Sequence, residues 1–70
     1  MEVQEVGTYK TKSGRIVIIH GFDTLGGWKM CAEGSYKDNK SLCWWEPETG
    51  ILAIDRQDTL EDIVEKIKGE

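Results

Sequence analysis

Few residues in this chain could do chemistry. They are one histidine, His20, two cysteines, Cys31 and Cys43, and a glycine-rich stretch, residues 21–27, that contains Asp23. A histidine near a carboxylate and a thiol can act as general base to a sulfur nucleophile. None of the local signatures that mark such a pair surrounds these residues. A chain of 70 residues also leaves little room for a substrate pocket of roughly 300–1,000 Å³. No catalytic residues are expected, and the chain reads as a non-enzyme. A structural zinc site takes four ligands, usually in close pairs of Cys or His. Two cysteines twelve residues apart and one histidine do not make such a set, so no metal site is expected. Gly21, Gly26 and Gly27 are not followed by the Gly-Lys-Ser/Thr of a phosphate loop, and no helix opens there. No cofactor is expected.

Binding is the remaining class of function. Tyr9, Lys10, Lys12, Arg15, Lys29, Tyr36, Lys37, Lys40 and Trp44 interleave aromatic and basic groups, the composition of a stacking, phosphate-contacting surface. Charge argues against it. The chain carries nine basic and thirteen acidic side chains, a net charge of −4, where a phosphate binder is expected to be basic. The imbalance is concentrated. Residues 1–45 net +1 and residues 46–70 net −5, so the C-terminal third is the acidic pole. Such a pole is either a solvated face or a surface for a basic partner. Nucleic acid is therefore possible but not favoured.

Positioning these groups falls to short strands. Glu2 to Lys10 alternates weakly and reads as an edge strand. Lys12-Ser13-Gly14 is a turn. Arg15 to His20 is a β-branched run with no polar face, suited to a central strand. Gly21 to Gly27 reads as a loop. Trp28 to Gly34 alternates cleanly, and Asp38-Asn39 offers a two-residue hairpin turn in left-handed conformation. Leu42 to Glu46, the turn Pro47-Glu48-Thr49-Gly50 and Ile51 to Asp55 form a second hairpin. Leu60, Ile63, Val64 and Ile67 recur at helical spacing behind Asp58 and Glu61, which predicts a capped amphipathic helix ending at Gly69. The expected fold is a single α+β domain over residues 1–70, a curled antiparallel meander of about five strands with one C-terminal helix on one face. The alternative is a small SH3-like or OB-like barrel with the helix appended.

Register sorts the side chains. A turn at Asp38-Asn39 sets Ala32 opposite Trp45 and Gly34 opposite Cys43. The Pro47–Gly50 turn sets Trp45 opposite Leu52 and Cys43 opposite Ile54. Trp28, Met30, Ala32, Cys43, Trp45, Leu52 and Ile54 then share the core face. Lys29, Cys31, Glu33, Trp44, Glu46, Ile51 and Ala53 share the other, which predicts that Cys31 is the more reactive thiol. A tryptophan among small apolar groups, rimmed by charge, has the composition of a binding hot spot. Trp44, Ile51, Lys29 and Glu46 are the expected partner-binding residues.

The expected function is a small non-enzymatic protein-interaction module that binds a protein partner or itself. The alternatives are a nucleic-acid-binding sheet and an acidic, nucleic-acid-mimicking inhibitor of phage type. No apolar run reaches the roughly 18 residues of a membrane span, and the acidic start is unlike a secretory signal. A cytoplasmic location with free thiols is expected.

Overall fold

The computed structural model describes residues 1–27, 29–53, 57 and 59–67. Five strands form one antiparallel sheet: β1 (Gly7–Thr11), β2 (Ile16–Leu25), β3 (Lys29–Tyr36), β4 (Asn39–Trp45) and β5 (Ile63–Lys66). Their spatial order is β4-β3-β2-β1-β5. The β-branched run Ile16–Ile19 lies in β2, the middle strand, which pairs with both β1 and β3. Backbone groups at the centre of a sheet must be satisfied on both sides, and β-branched residues suit that environment. The meander holds for the first four strands. β1 is not the edge, because β5 pairs along its outer side.

The C-terminal helix is not formed. Thr59–Glu61 is one 3-10 turn, and residues 63–66 are a strand. Helical spacing is not the only pattern in this stretch. Ile63, Val64 and Ile67 are β-branched and fit a strand as well as a helix stripe. Tertiary demand decides the outcome: β1 needs partners along its outer edge, and residues 62–67 supply them. The Lys12 amide donates to the Asp62 carbonyl at 2.9 Å and the Ile67 amide to the Thr8 carbonyl at 2.9 Å. Only part of the supposed apolar stripe is covered. Ile63 is 1% exposed, whereas Leu60 is 56% and Val64 50% exposed. Asp58, Gly69, Trp28 and Ile54 lie outside the described residues.

The sheet curls until its two ends meet across the 47–52 turn. On one side the Glu46 amide donates to the Ile51 carbonyl at 2.8 Å, and Trp45 pairs with Leu52. On the other the Ile63 amide donates to the Gly50 carbonyl at 2.8 Å. The chain start is tied in as well, the Val3 amide donating to the Pro47 carbonyl at 2.7 Å. Inside the curl lies one core: Val3, Tyr9, Val17, Ile19, Ala32, Tyr36, Trp45, Leu52 and Ile63, with Cys43 packed against it.

Both predicted registers are realised where they matter for the core. Ala32 faces Trp45, Gly34 faces Cys43 and Trp45 faces Leu52. The first turn differs in detail. Tyr36 pairs with Asn39 after a shift in register, so the turn is Lys37-Asp38. Among the described residues no non-glycine takes a positive φ, so the left-handed turn is not used. A second irregularity lies in β2. Ile19 faces Gly34 but Gly21 faces Glu33, leaving His20 as an extra residue, a β-bulge. The strand continues beyond it to Leu25, so the expected loop at residues 21–27 shrinks to the pair Gly26 and Gly27, with φ of 69° and 81°. Met30, expected in the core, is 53% exposed. It sits opposite Thr24, past Ala32, where the covered part of the sheet ends.

Candidate protein-interaction face

Strand alternation puts Ile18 of β2, Cys31, Glu33 and Ser35 of β3, and Leu42, Trp44 and Glu46 on the face opposite the core. Trp44 is half-buried there, and its indole N–H donates to Glu33 Oε2 at 3.3 Å. Leu42 is 49% exposed and Ile18 37% exposed. Between Ile18 and Leu42 runs an open groove of about 320 Å³, lined also by His20, Ser35, Tyr36, Lys37 and Lys40. At the bulge, His20 Nε2 and Ser35 Oγ are 2.9 Å apart. The histidine, which could have served as a base to a thiol, is therefore engaged by a hydroxyl instead. Asp23 is engaged locally, its carboxylate accepting from the Thr24 amide at 2.8 Å. No group of three His, Cys, Asp or Glu among the described residues could hold a metal.

The four residues expected from the sequence fall at one end of this face. Lys29 Nζ lies 3.6 Å from Glu46 Oε2, and Glu46 is joined through its amide to Ile51 across the hairpin. Ile51 is half-buried. Lys29 and Glu46 also border a groove of about 480 Å³ together with Met30, Pro47 and Glu48. Trp44 precedes Glu46 by two and shares its side of the strand. Sequence reasoning missed the other end, where Ile18, Leu42 and His20 lie. Leu42 was legible, since it has the parity of Trp44. The alignment of Ile18 with it depends on the bulge at His20, which no turn residue announces.

Behind the face a polar cluster braces the opposite end of the sheet. The Arg15 guanidinium stacks 3.5 Å from the centre of the Tyr36 ring, and it bridges Asp38 at 3.1 Å and Glu61 at 3.7 Å. Burial first, and then the Glu61 carboxylate, push the Tyr36 phenol well above the ordinary range. The Tyr36 ring meets Trp45 edge-on, with centroids 5.8 Å apart. This cluster holds the 3-10 turn against the β1–β2 turn. Its aromatic members, Tyr36 and Trp45, are buried.

The thiols reverse their expected order. Cys31 is 0% exposed although it lies on the face away from the core, and Cys43 is only partly buried. Burial raises the Cys43 thiol above its usual range; the Arg15 charge opposes this and Glu61 adds to it. In native protein Cys43 should be alkylated before Cys31, and faster as the pH is raised. Iodoacetamide labelling with peptide mapping by mass spectrometry checks the order. Preferential modification of Cys31 would contradict the burial described here.

No protein-family model, curated protein or solved structure matches this chain. Among the described residues no helix is long and apolar enough to cross a membrane. The functional reading therefore rests on the residues of the face.

Proposed function

We propose that this chain is a small protein-interaction module, built on an SH3-like barrel without the appended helix. Its binding surface is the outer face of β2, β3 and β4. The barrel reading is supported by the curled five-strand sheet and by the 3-10 turn ahead of β5. The function rests on one observation: Trp44 stands half-exposed on the sheet face opposite the core, with exposed Leu42 two residues before it on β4 and exposed Ile18 on the same face across β3. Partly exposed aromatic and aliphatic groups clustered on a rigid sheet are the usual anchors of protein interfaces. The nucleic-acid reading draws less support. Tyr9 is 1% and Tyr36 6% exposed, so two of its three stacking rings are enclosed.

Two measurements test the proposal together. A photo-cross-linking amino acid at Leu42 should give discrete protein adducts in cells, while one at Glu65, exposed on β5, should not. Adducts with a second copy would identify self-association. Equal adducts at both positions, or none at Leu42, would refute the assignment. Trp44→Ala should abolish the adducts yet cost only about 1–2 kcal/mol of stability, the range of a partly covered side chain. A loss of about 3–5 kcal/mol in urea titrations would instead make Trp44 a second core.

A further inference from the structure

The geometry points to an acidic, aliphatic segment of another protein as the occupant of the groove between Ile18 and Leu42. This rests on the interface reading above and adds the chemistry of the partner. The chain as a whole is acidic, with a net charge of −4, yet the charge at this groove has the other sign. Its lining includes Lys37, Lys40 and His20, and no carboxylate among the described residues. Two carboxylates of the adjoining turn and strand have partners within the chain. Asp38 is held by Arg15 at 3.1 Å, and Glu33 accepts from the Trp44 indole at 3.3 Å. Neither Lys37 nor Lys40 joins an ion pair among the described residues. Two ammonium groups without an ion pair among the described residues thus line a groove with two exposed aliphatic walls, Ile18 at 37% and Leu42 at 49% exposure, and Ser35 between them.

A ligand complementary to that pattern presents a leucine-like side chain between carboxylates. The aliphatic group removes Ile18 and Leu42 from water, and the carboxylates meet Lys37 and Lys40. A basic segment would set like charges against the two lysines, which is how such a surface rejects wrong partners. The lysines are exposed, so their contribution is screened by salt.

The test titrates isotope-labelled protein, followed by amide NMR, with short synthetic peptides alternating aspartate and leucine. Control peptides replace every aspartate by lysine or by serine, and a thymidine oligonucleotide supplies a phosphate arm. The acidic peptide should shift the amides of Ile18, Ser35 and Leu42. The double variant Lys37→Glu/Lys40→Glu should weaken it ~10-fold or more and gain affinity for the lysine peptide. Should that variant lose its dispersed spectrum, Lys37→Ala/Lys40→Ala serves in its place and should weaken the acidic peptide alone. Equal binding of the lysine or serine peptide to the same amides would overturn the acidic partner and leave the interface standing. Tighter binding of the oligonucleotide would overturn it in favour of a phosphate ligand. Binding by no peptide, or acidic-peptide shifts confined to other faces, would also overturn it. The cross-linking result at Leu42 then decides the interface separately.

Discussion

Trp45→Ala should leave the chain without a cooperative fold. Trp45 is 0% exposed, packs edge-on against Tyr36 and pairs with Leu52 across the second hairpin. Truncating a buried tryptophan costs about 3–5 kcal/mol. A domain of this size has about 5 kcal/mol to lose. The indole also ties the 3-10 turn to the sheet, its Nε1–H donating to the Glu61 carbonyl at 2.9 Å. Trp45→Phe separates the two contributions. It keeps an aromatic ring but leaves that carbonyl without its donor, a loss of about 1–3 kcal/mol. Far-UV circular dichroism during urea titration reads both variants. A sigmoidal transition for Trp45→Ala at the wild-type midpoint would show that the core lies elsewhere.

Gly50→Ala is expected to be nearly as severe, for a reason of backbone geometry. Gly50 has φ +77°, a conformation that costs an L-residue about 1–2 kcal/mol. A Cβ there would also lie 2.6 Å from the Met1 carbonyl oxygen and 2.8 Å from that of Ile63. Both are backbone atoms and cannot swing aside, so the turn would have to part from β5. Gly14→Ala is the natural control. Gly14 has φ +94° but nothing within 4 Å of the position a Cβ would take, so it meets the conformational cost alone. Gly50→Ala should therefore lower stability by at least about 2–3 kcal/mol and by clearly more than Gly14→Ala. Equal effects would mean that the 47–52 turn is not wedged between the chain start and β5.

The sheet was legible wherever two neighbouring strands had to agree on a face. Ala32, Trp45 and Leu52 could be matched from parity because a slip by one residue would have put Lys29 and Glu33 into the core. The same logic identified the face that carries Trp44. It failed where a single segment had two valid periods. Residues 60–67 satisfy a helix stripe, and Ile63 and Val64 also satisfy a strand. What decides between them is the outer edge of β1, far away in sequence, and no local pattern reports it. The groove was missed for a related reason. One extra residue, His20, shifts the facing order of β2, and a bulge leaves no composition signal. Cys31 was misjudged because parity fixes the face of a side chain but not what its neighbours cover.

Among the described strands, three of the four pairings join segments adjacent along the chain, and the fourth joins Tyr9 to Lys66. That last pairing sets the rhythm of assembly. The hairpins of β1 to β4 close short loops, whereas β5 must find β1 across nearly the whole chain, and closure entropy grows with the logarithm of loop length. Non-local pairings of this kind slow folding relative to hairpins of the same stability. Until β5 docks, β1 is an uncovered edge with half of its backbone groups unmet, and the core cluster of Tyr9 and Val17 lacks Ile63. A β5 from a second molecule has the same sequence and fits the same edge, so the topology that completes the monomer also provides a route to strand exchange at high concentration.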